Sequence, residues 1–203
     1  MKKISLILFA ILSSLCIHAQ RSEGSFTVQP RAGMNISKMT DMNEAKYGYN
    51  FGMEVEYQMT DMLSLSAALM YSDQGGVDKV DGIKTILDID YLNVPIMLNC
   101  YVAPEVIPGL AIKAGIQPGF RSKTTVKCDG IKMDLDWLLN QVGEDTKLSK
   151  VMFAIPVGVS YEYSNIVLDA RYIFGINDLY KGEGTNRNNV FQLTLGYKFD
   201  ADF

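Results

Sequence analysis

Along most of the chain, apolar and polar residues alternate with a period of two, the signature of strands that bury one face. Eight segments carry it. In 153–163, Phe153, Ile155, Val157, Val159, Tyr161 and Tyr163 share a face, opposite Ala154, Pro156, Gly158, Ser160 and Glu162. The same alternation runs through 26–36, 49–59, 63–72, 91–102, 110–119, 166–175 and 191–199. Thr60-Asp61 and Ser164-Asn165 read as tight turns and 103–109 as a short connection, whereas 37–48, 73–90, 120–152 and 176–190 read as long polar loops. Short links alternating with long ones predict an all-β fold, an eight-stranded antiparallel up-and-down transmembrane β-barrel. An even strand number places both termini on the same, periplasmic side. In 120–152, Asp129-Gly130 predicts a tight hairpin between 124–128 and 131–135, or Asp134 to Val142 forms a short helix stopped by Gly143.

Which face meets lipid follows from where the aromatics and charges fall. On the apolar face Tyr49, Phe51, Tyr71, Phe153, Tyr172, Phe174 and Phe191 gather at the outer strand ends. Tyr57, Tyr161, Tyr163, Tyr197 and Phe199 gather at the inner ends, with aliphatic residues between. Two aromatic girdles around an aliphatic band match the two interfaces of a bilayer. The opposite face carries Arg31, Lys113, Arg171 and Lys198 against Glu54, Glu56, Glu162 and Asp169. Charges inside so narrow a barrel must be paired, so these eight predict a structural lumen network, with Asp169 and Arg171 pairing across the lumen with partners on neighbouring strands. Pro30, Pro95, Pro118 and Pro156 fall inside strands that have no free edge, and predict bulges or missing ladder bonds.

The 203 residues are 48% apolar and 21% charged, which excludes a disordered chain. Lys2 and Lys3 precede an apolar run from Ile4 to Ile17 that ends at Ala19. Residues 1–19 read as a cleaved signal peptide and 20–203 as the barrel domain. Leu15 before Cys16 disfavours a lipoprotein site. Cleavage removes Lys2, Lys3 and His18, so the net charge moves from −4 to −6 and no histidine is left. The acidic balance excludes a nucleic-acid partner. Loss of histidine excludes triad hydrolysis and imidazole metal ligation, and no catalytic, cofactor or metal set is read from the chain. Cys100 at an inner strand end and Cys128 in an outer loop are expected as free thiols, a bilayer apart. The outer-loop acids, among them Glu44, Asp73 and Asp134, read as solvated surface, and Trp137, Leu138 and Leu139 as an apolar stretch for an envelope protein partner.

Tyr91-Leu92-Asn93-Val94-Pro95-Ile96-Met97-Leu98, Lys113-Ala114-Gly115, Leu168-Asp169-Ala170-Arg171-Tyr172, the closing Leu195-Gly196-Tyr197-Lys198-Phe199 and the opening Gly33-Met34-Asn35-Ile36-Ser37 resemble the strands of PorT-like outer-membrane barrel proteins, of the OmpA/OmpX eight-stranded type. The resemblance implies an integral protein of a Gram-negative outer membrane, surrounded by outer-membrane lipid and inserted by the barrel-assembly machinery, with Phe199 or Phe203 as the assembly signal. It implies a link to protein secretion and no catalytic residues. The leading expectation is a non-enzymatic structural or docking component. The alternatives are a narrow channel or small-ligand transporter, a secreted lipocalin-like binder, and a carboxylate enzyme.

Overall fold

The computed structural model describes residues 22–40, 42–80, 83–128, 131–135, 149–178 and 186–201. The strands are β1 (Phe26–Met39), β2 (Lys46–Thr60), β3 (Leu63–Val80), β4 (Ile83–Asn93), β5 (Ile96–Tyr101), β6 (Leu110–Cys128), β7 (Ile131–Asp134), β8 (Val151–Tyr163), β9 (Ile166–Gly175), β10 (Asn188–Tyr197) and β11 (Phe199–Ala201). All pairings between them are antiparallel, and β1 pairs with β10, which closes the sheet into a ring. β4 with β5, and β10 with β11, each form one stave, and β7 adds only to β6. The ring is therefore the eight-stranded up-and-down barrel that the alternation predicts.

The prolines explain why two staves are split. β4 stops at Asn93 and β5 begins at Ile96, with Val94-Pro95 between. The register against β3 is unbroken, from Met70 opposite Asn93 to Ala67 opposite Ile96. The ladder of β6 with β8 skips Pro156 but resumes in the same register. Pro30 lies where the β1 ladder passes from β10 to β11. There Lys198 is held from the other side: its N–H donates to the Asn165 carbonyl and its carbonyl accepts from Asn165 Nδ2, both at 2.8 Å. Each proline thus removes a donor without adding a residue.

The expected outer loops are shorter than the sequence suggests. β3 and β4 run to Val80 and from Ile83, through the predicted 73–90 loop. β6 runs to Cys128 and pairs with β7, Cys128 opposite Ile131, so 125–128 and 131–134 are paired strand and not loop. Beyond the membrane these strands carry Asp73, Asp88, Asp90, Lys123 and Lys127, so the hydrophobic alternation ends while the backbone ladder continues. The proposed helix 134–142 reaches beyond the described residues, as do the signal peptide 1–19, Phe203 and the Trp137, Leu138, Leu139 stretch.

The two faces differ as an apolar exterior toward lipid requires. Phe51, Leu69, Ile116, Val159 and Leu195 are exposed, whereas Glu54, Lys113, Asp169 and Arg171 are at most 3% exposed. Rings meet at the outer girdle, with Tyr49, Phe51 and Tyr71 stacked on one another and Tyr172 against Phe174. They meet again at the inner girdle, Tyr197 against Phe199 and Phe26 against Tyr57. Cys100 and Cys128 are both free thiols.

Candidate functional site

The lumen is filled in layers. Its floor is built on Lys198, whose ammonium lies 2.8 Å from Glu56 and 2.7 Å from Glu162. The Tyr101 hydroxyl donates to Glu56 at 2.7 Å, and Ser64 donates to the same oxygen. The Lys198 ammonium also sits 5.8 Å above the Tyr101 ring.

One level outward lie two acids and three bases. Glu54 pairs with Arg31, and with Lys113 at 3.0 Å and Arg171 at 3.6 Å. Asp169 pairs with Arg31 and Lys113, each at 3.2 Å. Arg171 grips Asp169 with two hydrogen bonds of 2.7 Å, a fork on a carboxylate. This level carries one surplus positive charge and the floor one surplus negative charge, so the two neutralise each other. The eight charged residues come together as two connected clusters. Asp169 and Arg171 pair with each other and across the lumen to β1, β2 and β6; these are not the neighbouring strands of the expectation, because β9 is flanked by β8 and β10. Long side chains on a narrow ring reach its centre, where opposite staves are as close as adjacent ones.

Above the charges lies a layer of amides and hydroxyls. Asn35 donates to Ser72 at 2.8 Å and accepts from Asn50 and Gln192. Gln74 donates to Ser72 and accepts from Asn188. The outermost layer is apolar: Met39, Leu87, Ile89, Tyr91, Met152, Ala154, Ile173 and Val190 form one buried cluster, joined by Met42, Val126 and Leu135. Pattern reading misses this plug, because an apolar lumen face inverts the rule that identified the lower lumen. Met39, Leu87, Ile89 and Val190 also fall in segments expected as loops. Leu135, the last described residue before the Trp137 stretch, packs on the plug.

Among the described residues no three of His, Cys, Asp or Glu are grouped to hold a metal ion. The lumen charges are each neutralised by a neighbour, so the arrangement can lock the ring.

A closed antiparallel ring with an apolar girdled exterior and an ion-paired interior defines the class of small membrane-spanning β-barrels. A family model described as "Outer membrane protein beta-barrel domain" matches residues 18–181, and the chain belongs to that family. It is an integral outer-membrane protein. Among solved structures it is similar to the attachment invasion locus protein Ail of Yersinia pestis, at 15% identity and a TM-score of 0.55. That match covers 87% of this chain and 99% of Ail. It is also similar to Neisserial surface protein A, at 16% identity and a TM-score of 0.56, covering 87% of this chain and 100% of that one. These likenesses show the fold alone. No curated protein matches the chain.

Proposed function

We propose that the protein is a non-enzymatic, non-conducting docking or accessory component of the outer membrane. The layered filling of the lumen carries this reading. Ion pairs, amides and an apolar plug follow one another from floor to rim, leaving the outer surface as the place where chemistry is offered. The resemblance to PorT-like proteins supports an envelope export assembly as the partner class, with 129–145, including Trp137, Leu138 and Leu139, as the contact. Export by cleavage of 1–19 and insertion by the barrel-assembly machinery belong to the same proposal.

Two experiments test it. In planar bilayers the refolded mature chain is expected to give no stable conductance, and a reproducible open state would replace this reading with that of a narrow channel. Deletion of 129–145 is expected to remove an envelope partner from pull-downs of the intact protein. Retention of every partner would move the contact elsewhere.

A further inference from the structure

Strands β3, β4, β6 and β7 continue past the outer aromatics as a four-stranded extension. Its outward face is in phase with the lipid-facing surface below: Tyr71 stands opposite Leu92, and Leu92 opposite Phe120. Above these three residues that face hollows into a cleft of about 770 Å³. Of the five acids in the cleft, Glu44, Asp73 and Asp88 have lysine partners, and Asp90 stands opposite Lys123 in the ladder. Lys46 reaches across Gly75 to Asp73 and Asp88, Lys127 pairs with Asp88, and Lys79 pairs with Glu44 at 3.0 Å. The exposed bases Lys84, Lys123 and Lys132 also line the cleft, and no ion pair is formed by them among the described residues.

The register adds a second, independent observation. Lys79 stands directly opposite Lys84, and Lys127 directly opposite Lys132. Like charges facing one another across a ladder repel; Glu44 beside Lys79 and Asp88 beside Lys127 relieve part of this, and an anion at Lys84 and Lys132 would relieve the rest. Height identifies the anion's carrier. At roughly 3.3 Å per residue, Lys123 lies ~10 Å along its strand above Phe120, and Lys84 ~26 Å above Leu92. One layer of lipid phosphates would meet only the lowest of these. A sugar headgroup bearing several phosphates would span them. Tyr47, 75% exposed at the edge of the cleft, offers a ring for a sugar to stack on.

We infer that this cleft binds the phosphorylated oligosaccharide headgroup of an outer-leaflet glycolipid, through Lys84, Lys123 and Lys132. The inference rests on the outer-membrane placement and is independent of the docking role. The test uses the mature chain in phosphatidylcholine nanodiscs doped with phosphorylated rough-type lipopolysaccharide, or with the same glycolipid after dephosphorylation. Glycolipid retained per barrel is read by native mass spectrometry. The K84Q/K123Q/K132Q variant is expected to retain the phosphorylated glycolipid about tenfold less than the unmodified chain, with the difference shrinking at high salt. K38Q/K150Q, which removes exposed lysines outside the cleft, is expected to match the unmodified chain. Lys132→Gln alone, on the strand that adds nothing to the ring, is expected to lose about threefold and keeps the test open should the triple variant fail to fold. Equal retention by unmodified and variant chains would overturn the inference. So would equal retention of the dephosphorylated lipid, or complete displacement by excess inorganic phosphate, which would mark a free-anion site.

Discussion

Arg171 is fixed at the centre of the lumen by both oxygens of Asp169 and by Glu54. Truncating it leaves two buried carboxylates short of a cation, so Arg171→Ala is expected to cost about 3–5 kcal/mol. Lys38→Ala, at an exposed position, is expected to stay within about 0.5 kcal/mol. Urea unfolding midpoints of the two variants check this, and equal midpoints would contradict a load-carrying network. Above the membrane, Asp73 and Asp88 look alike in the sequence and differ in the fold. Burial raises the Asp73 carboxyl, and Asp88 and Asp90 add to this against the pull of Lys46, so its charge opposes the folded extension. Burial would raise Asp88 too, but Lys127 and Lys46 hold it below the usual range. Its contribution is therefore present at neutral pH and lost as pH falls through that lowered value. Asp88→Asn is expected to speed amide exchange at Leu87 and Ile89 at neutral pH, whereas Asp73→Asn, which removes a charge that opposes the fold, is expected to slow it.

The outer extension is an element of its own, and Gly75 is its joint. Gly75 has φ +134, a conformation L side chains rarely adopt, and a Cβ there would stand 1.9 Å from the Leu87 carbonyl oxygen. Gly75→Ala is expected to part β3 from β4 above the membrane while the barrel below stays closed. Loss of amide protection in 73–90 with unchanged protection in β9 and β10 would show this, and uniform loss would contradict it. The sequence could not reveal this element. Within the bilayer each strand has one oily face, so alternation locates 49–59 or 166–175 to within a few residues. Above the bilayer both faces of β3 and β4 meet polar groups or the plug, and nothing in the apolar pattern separates strand from loop. The charged lumen residues were legible because Glu54, Lys113, Asp169 and Arg171 interrupt strands that are otherwise apolar. Which strands supply the partners was not, because partners across the lumen are set by the curvature of the ring and not by sequence distance.

At the scale of the whole molecule, the exterior is an apolar surface and the interior a column of ion pairs, amides and apolar side chains. The ion-paired layers hold opposite staves together, the amide layer joins them to the rim, and the plug ties the outer extension to the barrel mouth. Everything rests on the apolar face pointing to lipid. The direct measurement compares unheated and boiled samples of the chain, taken from the outer-membrane fraction, on a denaturing gel. A closed, ion-locked membrane barrel resists the detergent until heated, so the unheated sample is expected to run ahead of the boiled one. A soluble periplasmic protein with no shift between the two samples would mean that the faces are inverted, and would contradict the account.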